Sequence, residues 1–264
     1  VLLYYLNHTS EYVSSYSNNI AFPNHGFENC NTELKMLAID DSSLELNGFR
    51  KINQLTQSTL LYIDFLKKFK EYYPELYATS TNLEYEKSIS QNIDFIIDKF
   101  GEVKDNASVD LKHIRIGING IRGKINQSFG MALSQYNSAG YLDDIRETVV
   151  ENRRVLAVLA MYKKKVKGSV MGSSKTGSIV YIEPEAALRY SRELNQLEQE
   201  ERDEIAKILR QLTNTIRPFH STIISYQNFL AFIDVTAAKA KYANKINGIL
   251  PEINNEKTLF FREA

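Results

Sequence analysis

DLKHIRIGINGIRGKINQSFGMALSQY, residues Asp110–Tyr136, decides how this chain is read. Ile114, Ile118, Ile121, Ile125, Phe129 and Leu133 recur at steps of three and four, which places them on one face of a helix. At 1.5 Å per residue that helix is a rod about 40 Å long. Gly117, Gly120 and Gly123 interrupt it, and each costs about 1 kcal/mol relative to Ala in a helix interior. A kink or local break near residue 120 is therefore expected, although glycines there also let a neighbouring helix come close.

A second rod follows the same rule. Ala186 to Arg217 contains no Gly or Pro, and Leu194, Leu197, Ile205, Ile208, Leu212 and Ile216 form its seam, with Glu201 as the polar interruption. It is about 48 Å long, with Pro184 where it begins and Pro218 where it ends. Two rods of similar length on either side of an insertion are expected to lie antiparallel, Leu197 and Ile205 facing Ile118 or Ile125. Glu200, Glu204, Lys207 and Arg210 read as exposed helix decoration.

The insertion changes period. Thr148–Val150 and Val155–Met161 flank a polar Glu151–Arg154, the pattern of a hairpin. Val166–Val170 and Ser178–Ile182 flank Gly172-Ser173-Ser174-Lys175-Thr176-Gly177, a second pair of strands with a flexible turn. On a strand, Lys163 and Lys165 would point to one face and Lys164 to the other.

The flanking regions are helical. Leu55, Thr59, Tyr62, Phe65, Leu66 and Phe69 line one stripe, which Pro74 ends, and Ile89, Ile93, Ile96 and Ile97 line another. Asn18 to Asn31 reads as a loop. A helix from about Thr222 to Ile246 carries Ile223, Tyr226, Leu230, Ile233, Ala237 and Ala240 inward. The fold class is mainly α with a small β-rich insertion. The expected layout is a helical core at 1–109, a long helix at 110–140, a β-rich unit at 141–185, a second long helix at 186–217, and a return to the core at 218–264.

Charge is balanced over the chain, with 32 basic and 32 acidic side chains among 264 residues, so any electrostatic function must come from local segregation. It does segregate. From Ile145 to Ile182 the cations are Arg146, Arg153, Arg154, Lys163, Lys164, Lys165, Lys167 and Lys175, against Glu147 and Glu151. A basic segment on a neutral chain suits a polyanion, and Ser173 and Ser174 add hydroxyls that can meet phosphates; the alternative from charge alone is a solvated β-turn with ordinary surface lysines.

Other chemistries are poorly served. Gly172–Thr176 has Ser174 where a phosphate-binding loop requires Gly before Lys-Thr, so no ATP site is expected in this chain. Lys175-Thr176-Gly177 matches a β-lactamase box, but no S-x-x-K accompanies it. The Gly117/Gly120/Gly123 spacing departs from the dinucleotide fingerprint. His8, His25, His113, His220 and Cys30 lack metal-ligand spacing, so no metal is expected. One cysteine excludes a disulfide within the chain and fits a reducing cytoplasm or a cysteine-poor design. No apolar run approaches the ~20 residues that cross a bilayer, and no signal peptide is legible at Val1–Leu6. The chain starts at Val1 and stops at Phe260-Phe261-Arg262-Glu263-Ala264, which reads as a piece of a longer protein.

Several stretches resemble MutS proteins of type 2. Phe100-Gly101-Glu102-Val103-Lys104-Asp105-Asn106-Ala107-Ser108 with Leu111 resembles the G-E-[IV]-x-D-x-A-S-x-x-L that opens their first lever helix. Lys165-Val166-Lys167-Gly168 through Ser174, Gly177 and Ile182-Glu183-Pro184 resembles K-V-x-G-x-V-x-x-x-S-x-x-G-x-x-x-x-[IV]-E-P. Asn195, Leu197, Glu200 and Glu201 follow as in the second lever helix. Ala238-Lys239-Ala240-Lys241-Tyr242-Ala243 is similar to the A-K-A-x-[YL]-A helix before the ATPase domain, and Arg262-Glu263-Ala264 to the entry of that domain. The likeness covers roughly residues 40 to 264 and is strongest from 165 to 243. Where the family shows G-R-Y-V-I-P-V, this chain has Asn152-Arg153-Arg154-Val155-Leu156-Ala157-Val158.

The resemblance implies the core, lever and clamp regions of a homodimeric, cytoplasmic DNA-binding ATPase, with coiled-coil levers and a basic clamp. The partner implied is double-stranded or branched DNA, with ribosomal RNA as the alternative; a structural coiled-coil scaffold is the third reading. ATP and Mg would be cofactors of an ATPase domain beyond Ala264, with none in this chain, which is expected to be non-catalytic. The expected nucleic-acid contacts are Arg153, Arg154, Lys163, Lys164, Lys165, Lys167, Ser173, Ser174 and Lys175, and no membrane partner is expected.

Overall fold

A computed structural model describes residues 2–18, 20–253 and 260; the resemblance at Arg262-Glu263-Ala264 falls outside them. The described helices are α1 (Leu2–Asn18), α2 (Asn31–Leu37), α3 (Leu46–Lys68), α4 (Pro74–Ser80), α5 (Ser88–Ile96), α6 (Val109–Ser138), α7 (Glu185–Ile216) and α8 (His220–Lys245). Four strands stand between α6 and α7: β1 (Leu142–Val150), β2 (Arg153–Leu159), β3 (Gly168–Ser173) and β4 (Ile179–Pro184). The described residues are thus mostly helical with one small antiparallel sheet. It divides into two compact units, residues 1–103 with 209–264, and residues 104–208.

The first unit is a helical cluster around α3 and α8. Phe49, Ile52, Leu55, Tyr62 and Leu66 of α3 meet Ile223, Tyr226, Leu230 and Ile233 of α8, all essentially sealed from solvent. Of the stripe expected on α3, Thr59 is also buried, while Phe65 and Phe69 lie at the margin of the core. Buried polar groups are satisfied across long sequence distances, as a dry interior requires. The Tyr226 hydroxyl donates to the Glu84 carbonyl at 2.5 Å and accepts from the Glu86 N–H at 3.1 Å. Thr213 Oγ1 accepts from the Leu44 N–H at 2.9 Å, and Arg217 closes the 38–42 turn by donating to the carbonyls of Leu37, Ile39 and Ser42.

In the second unit α6 runs unbroken for 30 residues, capped by Ser108, whose hydroxyl accepts from the Leu111 N–H. The break expected near residue 120 is absent. A Cβ on Gly117 would sit 3.4 Å from the Leu197 side chain, whereas Gly120 and Gly123 face open space. Only Gly117 serves close approach, and the ladder absorbs the propensity cost of all three.

The two long helices are antiparallel. Partners run from Glu204 back to Tyr190 on α7 as α6 is followed from its cap to Lys124, with one step out of order by a single residue: Ser108 to Glu204 at 2.8 Å, Arg115 to Glu201 at 2.7 Å, Gly117 to Leu197, Arg122 to Glu198 at 3.0 Å, and Lys124 over the Tyr190 ring at 5.8 Å. Glu201, the polar interruption of the seam, is therefore an ion-pair partner. Glu204 is not exposed decoration either. Burial alone would raise its pKa, but hydrogen bonds from Ser108 and Lys207 outweigh that and hold the carboxyl below the usual range.

The sheet has the order β1-β2-β4-β3. A two-residue turn, Glu151-Asn152, joins β1 to β2 with both residues at positive φ, the geometry that matches strand twist in tight hairpins. β2 and β3 run parallel with β4 between them, so residues 160–167 must cross one face of the sheet. The crossing starts where the Ala160 N–H meets the Ser178 carbonyl at 2.9 Å and ends where the Glu185 N–H meets the Lys167 carbonyl at 3.1 Å. Leu156, Val158, Val180, Ile182 and Val166 form the apolar layer beneath it, against Phe129 of α6.

Candidate nucleic-acid interface

The basic segment folds as two groups with different environments. Arg153 and Arg154 lie on β2, and alternation sends them to opposite faces. Arg153 Nη1 donates at 2.9 Å to Glu183, a carboxylate only 2% exposed, which also accepts from the Ser191 hydroxyl. Arg154 meets Glu147 at 2.7 Å and Asn126 at 3.1 Å, with its guanidinium 4.3 Å from the centre of the Phe129 ring. Both arginines are thus paired with protein groups, tying β2 to β4, β1 and α6.

Lys163, Lys164 and Lys165 belong to a 3-10 turn, Ala160–Lys165, rather than a strand. The expected alternation of Lys163 and Lys165 against Lys164 therefore does not occur. The crossing that joins β2 to β3 is made through this turn, which delivers Val166 to the apolar layer. Lys163, Lys164 and Lys165 are exposed, as is Lys167 after them, and Tyr162 anchors the turn against Tyr141 with ring centres 4.8 Å apart.

Gly168 then passes so close to β4 that a Cβ would lie 2.1 Å from the Glu183 carbonyl oxygen, which no side chain tolerates. At the other end of β3, Gly172 and Ser173 are strand residues, so the turn is shorter than the sequence suggested and spans Ser174–Ser178. Ser174 holds that turn, accepting from the Ile179 N–H at 3.1 Å through its hydroxyl and from the Gly177 N–H through its carbonyl. Gly177 has φ +71°, a left-handed turn position. Lys175 is exposed at the turn, and Ser173 is exposed beside it.

Among the described residues Arg146, Lys163, Lys164, Lys165, Lys167 and Lys175 have no ion-pair partner, while Arg153 and Arg154 do. The sheet therefore presents lysines on the crossing segment and a separate lysine at the β3–β4 turn, roughly 20 Å away by strand length. Sequence reasoning missed the role of Glu183 and the tyrosines near the crossing. A carboxylate inside the apolar run Ile179–Ile182-Glu183-Pro184 was the available signal for the first. Among the described residues no group of three His, Cys, Asp or Glu side chains could hold a metal ion, and no helix is long and apolar enough to cross a membrane.

No family model matches the chain. It is similar to proteins named Endonuclease MutS2. That of Leuconostoc citreum is 28% identical over 236 residues, 88% of this chain and 29% of that protein. That of Carboxydothermus hydrogenoformans is 31% identical over 192 residues, 73% and 25%. That of Lactococcus lactis subsp. lactis is 35% identical over 167 residues, 62% and 21%. The chain thus spans between a fifth and a third of the length of the curated relatives it matches. These relatives support a MutS2-type family.

Proposed function

We propose that this chain is the nucleic-acid-holding part of a MutS2-type protein, in which the α6–α7 pair acts as lever and the four-stranded sheet as clamp. One observation carries the reading: the unpaired lysines of the basic segment stand exposed on the crossing and the hairpin turn, while two of its three arginines, Arg153 and Arg154, are engaged in building the sheet. Free ammonium groups meet phosphates without reading sequence. The partner is double-stranded or branched DNA held non-specifically, by a homodimer that brings two such sheets to one duplex.

Chemistry belongs elsewhere in this reading. The chain carries no phosphate-binding loop and is proposed to be non-catalytic, with ATP and Mg bound by a domain outside it. The purified chain should give no saturable ATP turnover. The test of the partner is a competition. The complete protein, bound to labelled duplex, is challenged with unlabelled branched DNA and with ribosomal RNA across a salt series. Displacement by DNA with a steep salt slope is expected. Displacement by ribosomal RNA at much lower concentration would reassign the partner, and salt-independent binding to either would rule out the phosphate contacts.

A further inference from the structure

The sheet unit contains a cavity of about 680 Å³ between the end of α6, the crossing segment and the start of α7. Met131, Ala132, Tyr136 and Tyr141 line one part of it, and Lys165 and Lys167 another. Met131 is 61% exposed although it borders the cavity, and neither lysine has an ion-pair partner among the described residues. The rings are fixed: Tyr141 stacks on Tyr162, and the Tyr136 hydroxyl accepts from the Lys167 N–H at 3.2 Å. Among the described residues Glu185 is the one carboxylate on the lining, so two ammonium groups against one carboxylate leave a single positive charge.

We propose that this cavity receives one unpaired nucleotide of a strand held by the sheet, its base against Met131 and the tyrosines and its phosphodiester against Lys165 and Lys167. The inference rests on the nucleic-acid reading above and adds a preference to it. The volume far exceeds a phosphate and lies within the roughly 300–1,000 Å³ of organic-ligand pockets. A phosphodiester carries the one negative charge that the lining balances. A base still paired and stacked in a duplex has no free face to offer, so only an unpaired one can enter, and aromatic walls accept any base. The sheet would then discriminate strand ends, overhangs and branch points from continuous duplex, without reading sequence.

The test compares a blunt duplex with the same duplex carrying a short thymidine overhang, bound to the complete protein. Ala186→Trp fills the cavity from α7 without changing charge, and Met131→Trp fills it from α6; both positions are exposed, so thermal melting should stay near wild type. Wild type is expected to bind the overhang about tenfold more tightly, within the range measured for base–aromatic stacking. Each filled variant should lose that preference while binding blunt duplex as before. Equal affinity of wild type for both probes overturns the inference and leaves the nucleic-acid reading standing. A preference that survives both fillings overturns it as well, by placing the discrimination elsewhere. Binding of neither probe removes both.

Discussion

In the helical unit, Tyr62, Phe49, Tyr226 and their neighbours are closed off from water, and polar groups such as the Tyr226 hydroxyl are satisfied by backbone far away in sequence. The α6–α7 pair of the other unit is built differently. Ile118 and Ile121 are buried, but Ile114, Ile125, Leu197 and Ile205 are only half-covered, and Arg115, Arg122, Glu198, Glu201 and Glu204 set the register between them. Two helices alone cannot enclose a seam, so the pair compensates with directional charges. The difference teaches that thick packing and charge-set register should respond to different perturbations.

Removing an aromatic anchor from the helical unit should have the largest effect. Tyr226→Ala is expected to cost roughly 3–5 kcal/mol, because it opens a cavity and orphans the Glu84 carbonyl and Glu86 N–H. A denaturant midpoint within error of wild type would mean that this core is not the one described. On α7, Ile208→Asp should cost about 2–4 kcal/mol, since Ile208 is 4% exposed and the carboxylate finds no partner. The neighbouring Ile205→Asp, at a half-buried seam position, should cost about 1–2 kcal/mol. Urea unfolding of both variants tests the order, and Ile205→Asp proving the worse would displace the seam.

The register pair is a smaller quantity. Arg115 and Glu201 are about three-quarters covered, so a double-mutant cycle of Arg115→Gln and Glu201→Gln should give a coupling of about 0.5–1 kcal/mol. Zero coupling would leave the antiparallel register to the apolar residues alone.

The pH response should separate the units most finely. Glu204 has its pKa lowered from 4.5 by the partners that overcome its burial, so its contribution is present above about 4.5 and lost as pH falls. In the helical unit burial pushes the Cys30 thiol up from 9.0 to about 11, with Glu33 adding to it. Its unfolded form loses a proton first, so its contribution is present below pH 9 and lost as pH rises from 9 to 11. Exchange protection of amides should therefore fall first in 108–207 under acid and first around Cys30 under alkali. The opposite assignment would reverse the comparison.

Much of this architecture was legible because helix periodicity is a strong signal. The six seam positions on α6 all turn inward or sit at the boundary, and the strands fall where the apolar period shortens. Three features were not legible, each for a tertiary reason. The glycines of α6 do not break it, because the cost of each is small beside a helix held by Leu197 and the ion pairs. Lys163–Lys165 are not a strand, because the strand order forces a crossing that no local pattern announces. Arg153 and Arg154 read as free cations until their partners, Glu183 and Glu147, are located in space. Charge counting found the segment; only geometry divided its cations into engaged and exposed.

The central claim is that the exposed lysines of the crossing and the β3–β4 turn hold phosphates. Its most direct test changes Lys163, Lys164, Lys165, Lys167 and Lys175 together to Gln in the complete protein, which keeps most of each side chain and removes the charge. Duplex affinity is then measured against salt concentration. Phosphate holding by these lysines predicts weaker binding to all sequences alike, with the slope of log affinity against log salt reduced by about one unit for each phosphate that no longer meets an ammonium group. Unaltered affinity and an unaltered slope would contradict it, and would leave the basic segment as solvated surface.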